Sequence, residues 1–174
     1  MLEKEVGGRG TPVINPVEGM ELGVGLIHLD ILNPAQEAMD TLTVKNDGDK
    51  LTKYGISGET NAYSIVYRLS FKNFSRFFPG DMSQTLSDSM AAENVVKSVD
   101  YIKISHHGSN NGLTENLLTQ LVPKLAVISV GKNSWGFPRP EILDLLTKYK
   151  VKILRTDQMG DIEIITDGKS FWVK

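Results

Sequence analysis

The sequence contains no cysteine among its 174 residues. This absence excludes disulfides, thiolate catalysis and cysteine-based zinc sites. Histidine is also scarce, since the sequence contains three, His28, His106 and His107. Any bound metal ion must therefore be held by these imidazoles together with carboxylates, a donor set that suits zinc and manganese.

Long apolar runs and an excess of basic charge are also absent. No stretch approaches the roughly 20 apolar residues that cross a bilayer, and the charged, glycine-rich residues 1–10 do not form a signal peptide. The net charge is -2, so bulk charge does not favour non-specific nucleic-acid binding, although a metal site can supply positive charge locally. With 40% hydrophobic and 23% charged residues, the composition is typical of one soluble globular domain.

Strand and helix patterns alternate along the chain, which predicts an α/β fold with a mixed sheet and flanking helices. Residues 1–20 are rich in glycine and proline and predict a flexible entry segment, whereas the polar residues 33–60 predict a long loop. Strands are expected over residues 24–32, 64–71, 74–78, 100–105, 125–130, 151–154, 161–165 and 170–173. Helices are expected over residues 83–96, 113–121 and 140–149, with Ser83 as a candidate cap of the first.

Two short polar strings follow predicted strands directly. Gly80-Asp81 closes the strand that ends in Phe77-Phe78, and His106-His107-Gly108-Ser109 closes the strand that contains Ile102 and Ile104. Ligands in layered α/β folds bind at the carboxyl ends of strands. A carboxylate and an imidazole at such an edge are ligands that Zn²⁺ and Mn²⁺ prefer, and one carboxylate can bridge two ions.

Each of these residues also has an ordinary structural interpretation. A Gly-Asp pair after a strand is commonly just a turn, and a histidine pair in a loop is commonly solvated or hydrogen-bonded. His28 lies on a predicted strand with apolar neighbours, which favours a structural or surface histidine. Composition and spacing alone therefore support a metal site only weakly.

From about Asn61 to its end, the chain resembles the metallo-β-lactamase-fold domain found at the C-terminus of ComEC-type competence proteins. Six segments occur in the order of that family. They are NAYSIV at 61–66, FFPGD at 77–81, KISHHGS at 103–109, VISVGKN at 127–133, PRPE at 138–141 and RTDQ at 155–158.

The resemblance implies half or most of an αββα sandwich with a site for two divalent metal ions, zinc or manganese, at its edge. Asp81 would be the bridging carboxylate, and one of His106 and His107 a terminal ligand, with the choice between the histidines open. Ser109 and Asn133 would lie on the substrate side. The implied reaction is metal-assisted hydrolysis of a phosphodiester, with DNA as the substrate of a bacterial, membrane-associated parent protein.

The sequence departs from the family in two places. The family motif H-x-H-x-D-H, which supplies most of the metal ligands, does not occur in this sequence, and Phe137 stands where relatives carry histidine. Two ligands are fewer than the three or four that zinc sites normally use. We therefore expect residues 1–174 to be a single, N-terminally incomplete domain that alone binds metal weakly and is inactive.

Two alternatives stay open from the sequence. One is a degenerate, non-catalytic module that binds DNA or a protein, and the other is a hydrolase of a small substrate on the same fold. An incomplete sandwich would also expose an apolar sheet face, which predicts self-association through that face.

Overall fold

The structure is a computed structural model that describes residues 14–36 and 60–174. Seven strands of the described residues form one sheet in chain order. These are β1 (Glu21–Val24), β2 (Ile27–Asn33), β3 (Val66–Phe71), β4 (Phe74–Phe78), β5 (Tyr101–Lys103), β6 (Leu125–Ile128) and β7 (Lys152–Arg155). A separate hairpin is formed by β8 (Ile164–Thr166) and β9 (Phe171–Val173).

The helices of the described residues are short and lie between the later strands. They are α1 (Gln84–Ala92), α2 (Glu115–Leu121), α3 (Pro140–Lys148) and α4 (Thr156–Met159), with 3₁₀ turns at Thr60–Tyr63 and Ser105–Gly108. The predicted cap is confirmed, because the Ser83 hydroxyl accepts a hydrogen bond from the Leu86 amide at 3.2 Å. None of these helices is long and apolar enough to cross a membrane.

The sheet changes direction at β4. Strands β1 to β4 pair antiparallel through successive hairpins, whereas β4, β5, β6 and β7 pair parallel. Parallel pairing needs a crossover, and α1, α2 and α3 provide the three crossovers. The predicted α/β fold with a mixed sheet and flanking helices is confirmed.

The predicted strand over residues 24–32 is wrong as a single element. The chain instead turns at Gly25, which has a φ of +61°, and divides the region into β1 and β2. Glycine adopts this left-handed conformation without steric cost, so alternation alone did not reveal the turn. The hairpin of β3 and β4 agrees with its prediction. Most of the predicted flexible entry at 1–20 and of the predicted long loop at 33–60 lies outside the described residues, at 1–13 and 37–59.

One face of the sheet packs against the helices. Alternate residues of each central strand point to this side, as the two-residue period of a strand requires, and Phe77, Ile102 and Ile128 are fully buried there. The helices contribute Leu117 and Leu146 to the same hydrophobic core. This core fixes the strand ends from which the polar loops leave.

The other face is covered in part by the β8–β9 hairpin. Phe74, Tyr101 and Leu125 form a second buried cluster on which hairpin side chains pack, namely those of Ile162, Ile164, Phe171 and Val173. The turn of the hairpin lies against the turn between β3 and β4, because the amide of Asn73 donates to the carbonyl of Gly168 at 2.9 Å. The sheet is thus packed against helices on one face and partly covered by the hairpin on the other.

Candidate functional site

Three neighbouring parallel strands, β4, β5 and β6, end at one edge of the sheet. Phe77 is in register with Ile102, and Ile102 with Ala126. The loops after these strands therefore start side by side, as at the ligand-binding edge of other α/β sheets. The amide nitrogen of His106 lies 3.4 Å from the carbonyl oxygen of Gly80, which joins the first two loops.

Asp81 is exposed in the loop after β4. Gly80 before it has a φ of +57°, and a Cβ there would lie 3.3 Å from the carbonyl oxygen of Ile65. The turn therefore requires glycine, and it directs the chain past the edge of the sheet. Burial lowers the pKa of the neighbouring Lys103, while the negative charge of Asp81 acts to raise it. The ammonium of Lys103 thus contributes to the electrostatic surroundings of Asp81.

The histidine pair lies in a turn, not in a strand. Because β5 ends at Lys103, the alternation that would place His106 on one face with Ile102 and Ile104 does not continue that far. His106 and His107 both have left-handed backbones, with φ of 47° and 55°. Such conformations cost energy for residues other than glycine, and they are frequent at functional sites.

The two imidazoles have different surroundings. His107 is exposed, and its Nδ1 atom lies 2.7 Å from the carbonyl oxygen of Ser129. His106 packs edge-on against Phe137 with ring centroids 5.8 Å apart. Its Nδ1 atom is buried with no hydrogen-bond partner. A histidine that binds metal through one ring nitrogen usually has its other ring nitrogen held by a hydrogen bond, and it is His107 whose Nδ1 is held in this way.

The two predicted substrate-side residues, Ser109 and Asn133, serve the loops themselves in this structure. Ser109 is buried, and its hydroxyl accepts a hydrogen bond from the amide of Asn111 at 3.2 Å. Asn133 donates to the carbonyls of Gly131 and Phe137, both at 2.9 Å, and accepts from the Phe137 amide at 3.0 Å. Their predicted contact with substrate stays a prediction.

Two contacts lock the loop after β6 to its neighbours. The amide of Arg139 donates to the carbonyl of Gly108 at 2.8 Å. The hydroxyl of Thr156 accepts from the amide of Val130 at 2.8 Å and donates to its carbonyl at 2.7 Å. Lys103 and Thr156 lie within two of the six segments that resemble the family, but the sequence pattern indicates a role for neither. The only signal was their position at the ends of β5 and β7.

His28 lies away from this edge. It is exposed on β2, in register with Ser70 of β3, which is in register with Ser75 of β4. Asp81 follows the opposite end of β4, after Phe78. Along the strands, the register partner Ser75 lies three residues before the end of β4, and across the sheet β2 lies two strands away from β4. Each of these separations is on the order of 10 Å. The structure therefore does not bring His28 to the candidate site.

The described residues contain no group of three or more histidine, aspartate or glutamate side chains arranged to hold a metal ion. Asp81 and His107 supply suitable donor atoms at one edge, but a stable site needs one or two more. On this donor set alone, the described part of the chain does not fit a complete metal centre.

The chain is similar in sequence to two curated proteins. It is 34% identical over 106 residues to ComE operon protein 3 of Bacillus subtilis (strain 168), a match that covers 59% of this chain and 13% of that protein. It is 30% identical over 105 residues to Recombination protein 2 of Haemophilus influenzae, covering 60% of this chain and 13% of that protein. The chain thus matches a small part of each. No protein-family model matches it.

Two solved structures resemble the fold at low sequence identity. A variant of the CmlA β-hydroxylase aligns with a TM-score of 0.52 and 12% identity over 89% of this chain and 34% of that chain. A metal-dependent hydrolase of Parabacteroides distasonis aligns with a TM-score of 0.48 and 12% identity over 88% of this chain and 61% of that chain. The mixed sheet with flanking helices is thus a fold that this chain shares with the CmlA β-hydroxylase structure.

In sequence, the chain is similar to ComEC-type competence proteins over the part that these matches cover. The resemblance read from the six sequence segments is thereby confirmed.

Proposed function

We propose that this chain contributes to a metal-dependent phosphodiesterase of the ComEC type, with DNA as the substrate. Asp81 and His107 would each bind a divalent ion, zinc or manganese, and the other ligands would come from outside the described residues. In this proposal residues 1–174 form part of one domain and are inactive alone.

The proposal depends chiefly on one observation, the junction of the Asp81 loop with the histidine turn. The 3.4 Å contact between the His106 amide and the Gly80 carbonyl holds the two loops at the same strand edge. The carboxylate of Asp81 and the exposed imidazole of His107 are donors that suit a divalent cation. The names of the competence and recombination relatives support nucleic acid as the substrate.

His106 has a different proposed role from His107. Its ring lies between the turn and Phe137, and its Nδ1 atom is buried without a partner. We propose that His106 positions the turn and contacts substrate through its ring edge, whereas His107 binds metal. The hydrogen bond of His107 Nδ1, which His106 Nδ1 lacks, supports this assignment of the two histidines, which the sequence leaves open.

The first experiment measures metal content. We expect the purified chain to retain less than one zinc or manganese ion after dialysis, as determined by elemental analysis. Two ions held tightly by each chain would contradict the expected weak binding.

The second experiment measures cleavage of a fluorescently labelled DNA oligomer in Mn²⁺. We expect the chain alone to be inactive and to gain activity when mixed with a separately produced H-x-H-x-D-H segment from a ComEC-type relative. Asp81→Asn and His107→Ala should abolish the gain, whereas Glu93→Gln, at an exposed position on the C-cap of α1, should not. Cleavage that survives Asp81→Asn would exclude the proposed role of Asp81.

A non-catalytic binding module is the second candidate. The observation in its favour is that the described residues hold no group of three metal-binding side chains. If the chain is such a module, its mixture with the H-x-H-x-D-H segment should stay inactive. The chain should still bind a partner, or a second copy of itself, through the sheet face. A small-substrate hydrolase differs from both, since the active mixture would then cleave a lactam or lactone in preference to bis-p-nitrophenyl phosphate.

A further inference from the structure

The loop between β6 and α3 exposes a tryptophan beside the histidine turn. We name residues 131–139 the recognition loop. Trp135 in this loop has 69% of its surface exposed. A large aromatic side chain left in solvent loses the free energy that its burial would provide, and such residues are frequent in binding surfaces. The function proposed above makes no use of this residue.

The recognition loop has a defined conformation. The side-chain amide of Asn133 makes three hydrogen bonds across it, to Gly131 and to both backbone groups of Phe137. The amide of Arg139 fixes the far end of the loop to the carbonyl of Gly108 at 2.8 Å. Trp135 is therefore presented by a loop whose two ends are held, so little backbone ordering would oppose binding.

Three rings lead from the exposed tryptophan to the histidine turn. Trp135 and Phe137 are stacked with centroids 6.4 Å apart and planes inclined by 29°. Phe137 in turn contacts the ring of His106 edge-on at 5.8 Å. The rings of Trp135 and Phe137 would thus lie between a planar group stacked on Trp135 and the ring of His106.

Positive charge accompanies these rings. Lys132 and Arg139 are both exposed in the recognition loop, and the guanidinium of Arg139 lies over the Phe137 ring at 5.6 Å. A cation close to stacked aromatic rings suits a ligand with alternating planar and anionic groups, because the rings stack and the charges pair. Single-stranded nucleic acid has that pattern.

We propose that the recognition loop binds single-stranded nucleic acid, with a base stacked on Trp135 and the adjoining phosphates next to Lys132 and Arg139. The inference deepens the proposed phosphodiesterase, since it names the residues that would hold the strand beside the Asp81 and His107 edge. Its test needs neither metal nor cleavage, so it can fail or succeed separately from that proposal.

The first test uses the chain's two tryptophans. Trp172→Phe leaves Trp135 as the only tryptophan, and Trp135→Phe leaves Trp172, which is 49% exposed on β9. Both proteins are titrated in EDTA with short oligothymidylate, oligouridylate and an abasic oligomer of equal length. We expect both base-containing oligomers to quench Trp135 and the abasic one not to. Preference between the first two distinguishes DNA from RNA as the strand bound.

The second test measures affinity by fluorescence anisotropy of a labelled oligothymidylate. Trp135→Ala should raise the Kd about tenfold, the effect of losing one stacked base. Trp172→Ala, the matched control, should leave the Kd within about twofold. Replacing both Lys132 and Arg139 by glutamine should reduce the salt dependence of binding.

Three results would overturn the inference. They are no quenching of Trp135 by any oligomer, equal quenching by the abasic oligomer, or equal quenching of Trp172. The absence of any quenching would instead favour a protein as the partner that binds the loop.

Discussion

The Nδ1 atom of His107 lies 2.7 Å from the carbonyl oxygen of Ser129, so the turn after β5 is tied to the end of β6. A carbonyl oxygen accepts hydrogen bonds and cannot donate them, so Nδ1 carries the hydrogen of the neutral ring. The lone pair is then on Nε2, on an exposed side chain. The hydrogen bond to one backbone carbonyl thereby sets the tautomer of a candidate metal ligand.

The tautomer of His107 can be measured directly. We expect long-range ¹H–¹⁵N correlation spectra, recorded at a pH at which the imidazole rings are neutral, to show a protonated Nδ1 and an unprotonated Nε2 at His107. His28, exposed on β2 at another part of the sheet, provides the reference spectrum of a histidine outside the turn. A protonated Nε2 at His107 would show that the contact with Ser129 is not a hydrogen bond.

Glycine substitutions test the strain at the histidine turn. Because His106 has a φ of 47°, His106→Gly should be roughly 1 kcal/mol more stable than His106→Ala. The measurement is the free energy of unfolding in urea. At Lys150, which has a φ of 57° and lies outside the site, the glycine variant should likewise be more stable than the alanine variant. Asp144 within α3 should show the reverse, because glycine destabilises a helix by about 1 kcal/mol relative to alanine.

Gly108 tests the contact between the histidine turn and the recognition loop. A Cβ at this position would lie 2.5 Å from the Cβ of Pro138, and its φ is +87°. Gly108→Ala should therefore lower the free energy of unfolding by about 2–4 kcal/mol, from overpacking and left-handed strain together. Gly131→Ala is the control, because no atom lies within 4 Å of the place that its added methyl group would take, and a change of less than about 0.5 kcal/mol is expected. Equal effects at both positions would contradict the close approach.

The pH dependence of stability tests the turn after β7. Arg155 donates to both carboxylate oxygens of Asp157, at 3.0 and 2.6 Å, and this pairing lowers the pKa of Asp157 below its ordinary 3.8. The stabilisation is present above the ordinary pKa and is lost as pH falls through the lowered one.

Asp157→Asn should accordingly be less stable than the natural sequence near neutral pH, with the difference closing in strong acid. Unfolding free energies between about pH 7 and about pH 2 provide the measurement. Asp161→Asn removes one negative charge from an exposed nearby position and serves as the control. A difference that stays constant down to strong acid would exclude the ion pair as its cause.

Much of the fold could be predicted because its hydrophobic pattern and its turn residues agree. The apolar run at residues 125–130 predicts a strand covered on both faces, and β6 forms within it. Pro140 begins α3 at the position where proline is tolerated. The division of β1 from β2 was missed because Val24 and Leu26 continue the alternation across Gly25. Periodicity does not distinguish a two-residue turn from a continuous strand there.

The candidate site could be predicted only in part. Asp81 and the histidine pair were found because they follow strands whose ends share an edge. The difference between His106 and His107 could not be found, since it depends on left-handed backbone angles and on contacts with Ser129 and Phe137. These partners lie more than 20 residues away in the chain, beyond the reach of local patterns.

The β8–β9 hairpin has a consequence for the synthesis of the protein. Phe74, Tyr101 and Leu125 are buried partly by Ile162, Ile164, Phe171 and Val173, which leave the ribosome many residues later. During translation the sheet would therefore carry an uncovered apolar surface after its other face has met the helices. Exposed apolar surface of this kind makes folding intermediates prone to aggregation, and here it would persist until β9 emerges.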